Sequence, residues 1–422
     1  MSTPITERRL QAGERGVAFG GRVLALADHL AQFSESSNGL TCTYLSPAHR
    51  AVAAELATLM AKAGLETQVD VVGNVVGRYR SPAANSKTVI VGSHYDTVTN
   101  AGKYDGRLGI LSALVVAEHL SQTGRTLPFH LDVIAFSEEE GVRFSTSYIG
   151  SSAIAGRFDP KVLERRDVKG MSLADVMREA KLDVGAISAL ARRRGDIAAY
   201  LEVHIEQGPV LLQSDLPVGI VTAIAGNSRF GVTIDGVAGH AGTLPMAFRH
   251  DAAAAAAEIV LCVERRCSRT GLVGTVGRLS VPDGAINVVP GRCELSLDIR
   301  SGSDATRKAA VRDLLADIHD IGKKRGVTIT ASELLDAAAV PCSPRLQDLF
   351  AKSIERAGLP VFKLPSGAGH DGVMFAGLTD IGMLFVRCGN GGISHSPLET
   401  ITAGDANFAA HILLGVLENL EP

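Results

Sequence analysis

Residues 88–97 read Thr-Val-Ile-Val-Gly-Ser-His-Tyr-Asp-Thr, an apolar run that ends in a glycine, a histidine and an aspartate. The run from Thr88 to Val91 predicts a short buried strand. The chain continues with a predicted helix over Leu108–Leu120, which has the 3.6-residue period of a buried helix, and a predicted strand over Phe129–Phe136. A strand, a helix and a second strand in this order predict a largely parallel sheet.

Ionisable residues stand at the carboxyl ends of both predicted strands. His94 closes the first strand, and Glu138, Glu139 and Glu140 follow the second. In open α/β sheets ligands gather at the carboxyl ends of the strands, so the two groups predict one shared site. Upstream, the pattern predicts a helix over Ser46–Ala63 and a pair of strands over 67–80 around a Gly-Asn turn.

Five residues of the metal-ligand type lie in short, turn-rich motifs: His94, Asp105, Glu140, His204 and His395. Two neighbouring ions need about this many nitrogen and oxygen ligands, with one carboxylate shared between them. Taken singly, His94 could be a core histidine and Asp105 a helix N-cap. Five such residues in one topology favour a metal site instead, and no thiolate is among them, so zinc, manganese, cobalt and nickel all stay open.

Two acids beside these ligands suit supporting roles. Glu139 is adjacent to Glu140, where a general base for an attacking water is needed, and we assign it that role. Asp96 lies two residues after His94 in an extended segment, so it faces the same side and can fix the tautomer of the imidazole. For Glu138 alone, a solvated loop position is the preferred interpretation. The whole pattern predicts metal-assisted hydrolysis.

The middle of the chain has a different order of elements. The predicted elements are the strand Phe230–Val237, the helix Arg249–Arg266, the strands Gly271–Val281 and Arg292–Arg300, the helix Asp304–Lys324 and the strand Val327–Ser332. This βαββαβ order is that of a ferredoxin-like unit. Since His395 follows it, we predict a mixed, mostly parallel α/β catalytic domain with helices on both faces. It is split into residues 1–224 and 336–422, and the ferredoxin-like domain is inserted over residues 225–335.

Length and composition limit the class of protein. The 422 residues are 46% apolar and 21% charged, which indicates a globular chain of two domains, possibly three. A net charge of −3 without a basic patch argues against a nucleic-acid partner. Six cysteines without a C-x-x-C pair, no apolar segment within residues 1–9 and no stretch long enough to span a membrane predict a cytoplasmic enzyme.

The motifs around these residues match a known family in its order, over almost the whole chain. The matching stretches are Gly92-Ser93-His94-Tyr95-Asp96-Thr97, Tyr104-Asp105-Gly106, Glu138-Glu139-Glu140-Gly141, His204-Ile205-Glu206-Gln207-Gly208, Gly239-His240-Ala241-Gly242-Thr243, Asn287-Val288-Val289-Pro290-Gly291, Ser366-Gly367-Ala368-Gly369-His370-Asp371 and Ser394-His395-Ser396-Pro397. The chain resembles the M20-type metallo-amidohydrolases. Within them it is similar to the hydantoinase/carbamoylase branch, which includes N-carbamoyl-L-amino-acid hydrolases and allantoate amidohydrolases.

The resemblance implies a role for each residue of the site. One of two divalent ions is held by His94, Asp105 and His204, the other by Asp105, Glu140 and His395, and Glu139 is the general base. The implied oxyanion donor is His240, which reaches into the site of a partner subunit in a homodimer. The implied substrate contacts are Gln207 for an amide, Asn287 and Arg300 for a carboxylate, and His370 as a residue that lines the site. The inserted domain is then a lid and dimerisation domain.

The resemblance also implies a reaction: hydrolysis of a linear carbamoyl or ureido C–N bond in a small carboxylate, with release of ammonia and carbon dioxide. Allantoate and N-carbamoyl-L-amino acids are the expected substrates. Two alternatives stay open, an M20 peptidase or aminoacylase that acts on dipeptides or N-acyl amino acids, and a non-enzymatic descendant. One residue departs from the family's usual Gly-Thr-Thr-Pro-Met, because Leu244 replaces the second threonine, a change that can retune the substrate pocket.

Overall fold

The computed structural model describes residues 18–269 and 271–422, so the expectation about residues 1–9 lies outside the described part. The chain divides into two compact units. The first consists of the residues up to Thr222 together with Cys342–Leu364 and His370–Pro422. The second consists of Ala223–Pro341 and Pro365–Gly369. Within the described residues, no helix is both long enough and apolar enough to cross a membrane.

The strands and helices of the described residues are numbered here in chain order. The strands are β1 (Glu66–Val69), β2 (Val75–Tyr79), β3 (Thr88–His94), β4 (His130–Phe136), β5 (Ile197–Ile205), β6 (Val218–Ile224), β7 (Gly226–Asp235), β8 (Gly239–His240), β9 (Val273–Thr275), β10 (Leu279–Ser280), β11 (Val288–Val289), β12 (Arg292–Ser301), β13 (Thr328–Ala337), β14 (Val340–Pro341), β15 (Lys363–Ser366) and β16 (Ile381–Val386). The α-helices are α1 (Phe19–Leu30), α2 (Pro47–Lys62), α3 (Arg107–Thr123), α4 (Ile149–Ile154), α5 (Leu173–Glu179), α6 (Val210–Gln213), α7 (Ala252–Cys267), α8 (Asp304–Arg325), α9 (Pro344–Arg356) and α10 (Ala403–Asn419). Single 3₁₀ turns cover Pro160–Glu164, Val184–Leu190, Arg194–Asp196, Met246–Phe248, Asp371–Phe375 and Asn390–Gly392.

The nine-stranded sheet, most of whose strands belong to the first unit, is parallel at its centre. Its order is β1-β2-β4-β3-β5-β16-β6-β14, and β15 pairs with β6. The pairs β3–β4, β3–β5 and β5–β16 are parallel, whereas β1–β2, β2–β4 and β6–β16 are antiparallel. The carboxyl ends of β3, β4 and β5 therefore meet at one edge. The predicted mixed α/β fold is confirmed.

The local predictions in this unit are confirmed with small shifts at their ends. Strand β3 is buried along its whole length and extends to His94, three residues beyond the predicted end. A run that is buried on both faces is typical of a central parallel strand. Helix α2 begins after Ser46, whose hydroxyl accepts the His49 N–H at 3.1 Å, with Pro47 in the first turn.

The second unit contains a separate antiparallel sheet in the order β10-β12-β7-β13, with β9 also paired to β12. Its apolar core includes residues of α7 and α8 with residues of β7 and β12. Two predictions here were wrong in detail. The predicted strand Gly271–Val281 is interrupted, since only β9 and β10 are extended. The helix predicted from Arg249 starts at Ala252, because the Asp251 carboxylate accepts the N–H groups of Ala253 and Ala254 at 2.9 and 3.1 Å.

Candidate metal centre

Asp105 lies at the centre of the candidate site, and its two oxygens face two different sets of side chains. Its Oδ1 is 3.3 Å from His204 Nε2 and 3.8 Å from His94 Nε2. Its Oδ2 is 3.0 Å from His395 Nε2, which in turn lies 3.5 Å from Glu140 Oε1. Carboxylates that bridge two metal ions present their oxygens in this way. The structure therefore brings together all five residues that the sequence singles out as ligands.

Two features hold the Asp105 loop in place. Gly106 has φ of +64°, and a Cβ at this position would lie 2.4 Å from the His94 carbonyl oxygen, so only glycine lets the loop approach β3 so closely. Glu399 accepts the N–H of Tyr104 at 2.8 Å and the N–H of Asp105 at 3.2 Å. The carboxylate of Asp105 is thereby fixed before any ligand binds.

The loop after β4 is held by Asp96. One oxygen of the Asp96 carboxylate accepts the Glu139 N–H at 3.1 Å, and the other accepts the Glu140 N–H at 3.2 Å. The same carboxylate lies 3.4 Å from His94 Nδ1. Asp96 thus faces His94 as the sequence predicts, and it also orients the two glutamates, which the sequence alone does not indicate.

His204 is presented by β5 with a defined tautomer. Its Nδ1 lies 2.9 Å from the Ile205 carbonyl oxygen, which only accepts, so Nδ1 carries the proton. The lone pair of Nε2 faces the site and accepts the Gly106 N–H at 3.3 Å. The buried ring of His370 packs edge-on against the His204 ring, with 4.5 Å between the centroids. His370 therefore packs directly against a candidate ligand histidine.

The electrostatics of the site favour bound cations. Burial raises the pKa of Glu140 to about 7 and, together with the neighbouring acids, raises the pKa of Glu139 well above its usual range. Burial opposes a charge on His94, yet Asp96, Glu139 and Asp105 raise the pKa of its imidazole well above the ordinary value. Several buried carboxylates thus lie close together, and the positive charges that oppose them are those of His94 and His395, so divalent cations would neutralise the remaining charge.

The donor set fits two such ions. Two groups place one ligand atom of each residue within 4.8 Å of the others: His94 with Asp105 and His204, and Glu140 with Asp105 and His395. Asp105 Oδ1 is buried and has no hydrogen-bond partner among the described residues, as expected of an atom that binds a metal. The same criterion also groups Glu139 with His94 and Glu140, and Glu202 with His204 and His370.

Gln207 contacts two of the candidate ligands. Its Nε2 donates to Asp105 Oδ2 at 2.9 Å and lies 3.3 Å from His395 Nε2. The residue has φ of +57°, a conformation that is uncommon for a side chain of this size and that places its amide over the centre. Its Oε1 is buried without a partner among the described residues. The amide thus lies where a substrate amide contact is expected.

The remaining predicted residues, His240, Asn287 and Arg300, lie in the second unit. Strand β8 pairs with β11, and the N–H of Ala241 donates to the Asn287 carbonyl at 2.9 Å, so His240 and Asn287 belong to one local structure. The Gly242 N–H donates to His240 Nδ1 at 3.1 Å, which leaves the proton of the neutral ring on Nε2. Arg300 is held by Asp298 through two bonds of 3.0 and 2.9 Å and donates to the Gly367 carbonyl.

Leu244 packs beside His240 in the second unit. Its N–H donates to the His240 carbonyl at 3.1 Å, and a Cβ on Gly239 would lie 2.6 Å from Leu244 Cδ2. Arg249 stabilises this turn, because its Nη2 donates to the Ala241 carbonyl and its Nε donates to the Leu244 carbonyl. The family's threonine is therefore replaced by an apolar contact that covers the backbone next to His240.

Several residues near the centre escape the sequence analysis. Glu202 is buried on β5, two residues before His204. It accepts hydrogen bonds from the hydroxyl groups of Ser93 and Tyr200 at 2.9 and 2.8 Å. The sequence feature that could have indicated its burial is a glutamate inside the apolar strand β5. Glu138 is buried, with 1% of its surface exposed, so its interpretation as a solvated acid was wrong. It was missed because a run of three acids is usually a solvated surface.

Comparisons with known proteins identify the family of the chain. The profile of peptidase family M20/M25/M40 matches residues 90–419. An N-carbamoyl-L-amino acid amidohydrolase of Geobacillus stearothermophilus is 41% identical over 380 residues, which cover 90% of this chain and 93% of that protein. Allantoate deiminase 2 of Glycine max is 40% identical over 424 residues, with 93% and 87% covered. An amidase of the hydantoinase/carbamoylase family from Burkholderia multivorans has a similar structure, with a TM-score of 0.88, 29% identity and coverage of 94% of this chain and 97% of that one.

Proposed function

The chain belongs to peptidase family M20/M25/M40, in its hydantoinase/carbamoylase branch, and on that premise we propose that it is a di-metal amidohydrolase. It cleaves a linear carbamoyl or ureido C–N bond in a small carboxylate, either allantoate or an N-carbamoyl-L-amino acid, and releases ammonia and carbon dioxide. The observation that carries this proposal is Asp105, whose two oxygens face two separate sets of ligands. The names of the relatives supply the substrate class.

We assign His94, Asp105 and His204 to one divalent ion and Asp105, Glu140 and His395 to the other. Zinc, manganese, cobalt and nickel all suit these nitrogen and oxygen donors. When bound, the ions supply Lewis-acid polarisation of the scissile carbonyl and a lower pKa of the attacking water. The protein's own contribution is to fix the donors before binding, through Asp96, Glu399 and the backbone carbonyl of Ile205.

Glu139 acts as the general base and later as the general acid. Its carboxylate takes a proton from the attacking water and delivers it to the leaving nitrogen. Burial together with neighbouring acids raises its pKa, which suits a group that must hold a proton between the two steps. Asp96 holds the backbone of Glu139, so the carboxylate stays oriented while the proton moves.

We infer that the substrate is held through its carboxylate and its amide. We assign Arg300 and Asn287 to its carboxylate, Gln207 to its amide, and His370 to the wall of the site. His240 donates to the developing oxyanion in the partner subunit's site through Nε2–H, the tautomer that the Gly242 N–H selects. Leu244 lies next to this histidine and is the residue at which we expect specificity to differ from that of the relatives.

We further propose that the second unit is a ferredoxin-like lid and dimerisation domain of a cytoplasmic homodimer. Its strand order, β10-β12-β7-β13 with two helices, supports the first part. Met246, Phe248 and Ile286 leave large apolar surfaces exposed in the single chain, at 77%, 70% and 103% of their full exposure, which supports a partner subunit. All six cysteines are buried free thiols, as in a reducing compartment.

Replacing Arg300 by glutamine tests the carboxylate contact. We expect KM for the ureido substrate to rise by about 10- to 100-fold, the range for the loss of a hydrogen-bonded charge, with a smaller change in kcat. Steady-state kinetics measure both constants. Arg292→Gln is the matched control, because Arg292 lies on the same strand but pairs only with Asp235 and Glu294 on the surface. An unchanged KM in Arg300→Gln would remove this residue from substrate binding.

The overall function is tested by ammonia release from metal-stripped protein reloaded with manganese. Allantoate, a set of N-carbamoyl-L-amino acids and dipeptides are offered separately, with a ninhydrin readout for the dipeptides. We expect ammonia from allantoate or from the carbamoyl amino acids. The substrate that is cleaved faster decides between an allantoate amidohydrolase and an N-carbamoyl-L-amino-acid hydrolase. Cleavage of dipeptides alone would assign the chain to the peptidase class. If the metal-loaded protein cleaved none of these substrates, the proposed hydrolysis of carbamoyl and ureido C–N bonds would be overturned.

A further inference from the structure

The turn between β1 and β2 contains a buried asparagine whose amide is completely engaged. Asn74 has no exposed surface. Its Nδ2 donates to Asp70 Oδ2 at 2.8 Å and to the Gly150 carbonyl at 3.1 Å, while its Oδ1 accepts the Ser137 N–H at 3.0 Å. The donor and acceptor roles of these partners allow only one orientation of the amide. The amide therefore joins the buried β1–β2 turn to two other segments of the chain, at Gly150 and at Ser137.

Ser137 is the residue at which β4 passes into the glutamate loop, and it is held at three atoms. Its N–H donates to Asn74 Oδ1, and its hydroxyl donates to the Val72 carbonyl at 2.8 Å. Its carbonyl oxygen lies 2.6 Å from Nε2 of the buried His49. The backbone two residues before Glu139 is therefore fixed by the β1–β2 turn, while Asp96 fixes the N–H groups of Glu139 and Glu140.

The packing around Asn74 leaves no space for a different arrangement. A Cβ on Gly150 would lie 2.2 Å from Asn74 Oδ1 and 2.8 Å from the Ser137 nitrogen. Real Cβ atoms do not approach so closely, so a side chain at position 150 must displace the amide. Asp70 in turn is oriented by the N–H groups of Val72 and Asn74, both at 2.9 Å. Turn, amide and loop thus form one connected network.

We propose that Asn74 is a positioning residue that sets the geometry of Glu139 and Glu140 through Ser137. The inference rests on the proposed function, in which Glu139 is the base and Glu140 a metal ligand. Removal of the amide leaves the buried Ser137 N–H without an acceptor, and the segment must move to find one. Such a shift displaces the base and the ligand together, even though Asn74 contacts neither.

The test uses the full-length enzyme with Asn74→Ala, compared with the wild type after reloading with manganese. We expect kcat to fall by about 10- to 100-fold with KM changed by less than about threefold, and manganese affinity to fall by a similar factor of about 10 to 100. Asn407→Ala is the matched control. The Asn407 amide oxygen also accepts backbone N–H groups, those of Phe19 and Gly20, but at the start of α1.

Two further variants separate positioning from a general loss of stability. Gly150→Ala leaves Asn74 in place but displaces its amide, so it should reproduce the fall in kcat and in manganese affinity. Asn74→Asp keeps an acceptor for the Ser137 N–H but sets a carboxylate against Asp70 and against the Gly150 carbonyl, which both only accept. We expect it to lose at least as much kcat and manganese affinity as Asn74→Ala, and wild-type values in this variant would contradict the proposal.

Two results would overturn the proposal. One is a wild-type kcat and manganese affinity in Asn74→Ala, and the other is a fall in kcat and manganese affinity in Asn407→Ala as large as that in Asn74→Ala. If the wild type itself released no ammonia from any ureido substrate, the proposed function would fail, but manganese binding would still test the position of Glu140. Hydrogen exchange at residues 137–140 is a second substrate-independent readout. Faster exchange there in Asn74→Ala than in Asn407→Ala supports the positioning role, and equal exchange contradicts it.

Discussion

Replacement of Glu139 by glutamine is expected to lower kcat for ammonia release by about 10²–10⁴-fold, the usual contribution of a general base. Glutamine keeps the shape of the side chain and the backbone bond to Asp96, but it cannot take the proton of the attacking water. KM should change little, because the residues assigned to the substrate are untouched. The two metal ions should stay bound, because neither assigned ligand set includes Glu139.

Steady-state kinetics and the metal content of the same preparation test this expectation together. The metal content matters because the geometry also groups Glu139 with His94 and Glu140 as a possible set of ligands. If Glu139→Gln loses an ion, then Glu139 is a ligand and the base must be sought elsewhere. Glu179→Gln, on the exposed side of α5, is the control and should match the wild type in both measurements.

The sequence predicts the parallel centre of the sheet because the strands there are short and mostly apolar. Thr88–Val91 and Phe129–Phe136 were placed correctly, and His94 and the glutamates follow as the residues that end them. The same logic fails for Gly271–Val281, where a long β-rich segment is broken into two short strands. Propensity indicates extended backbone in that segment, but the partner strand β12 decides which residues pair.

The residues that support the site could not be found from the sequence. Asn74 and Glu399 are distant in the chain from the residues they hold, by 63 positions to Ser137 and 295 to Tyr104. Each stands in a segment whose composition is that of an ordinary turn or loop. A ligand has a recognisable residue type and motif, whereas the residue that orients it is defined only by a contact across the fold. Asp96 was predicted because it is close to His94 in the chain.

Replacement of Asp105 by asparagine is expected to remove the metal ions themselves. Gln207 Nε2 and Ser394 Oγ both donate to Asp105 Oδ2, at 2.9 and 3.2 Å, so the oxygen of an asparagine will occupy that position. Its NH₂ group then faces His94 and His204, where Oδ1 stood, and an amide nitrogen is not a metal ligand. The ion assigned to these two histidines should be lost first.

Metal content after dialysis, measured by mass spectrometry, distinguishes this shared ligand from a ligand of one ion. We expect two ions per chain in the wild type and in the surface control Asp320→Asn, one in His395→Ala, and at most one in Asp105→Asn. Affinity should fall by more than about 100-fold in Asp105→Asn, above the range for residues that merely orient a ligand. Activity should fall at least as far as in Glu139→Gln. Retention of two ions in Asp105→Asn would show that the carboxylate does not bridge them, and the position of its oxygens between His94 and His204 on one side and His395 on the other would then need another cause.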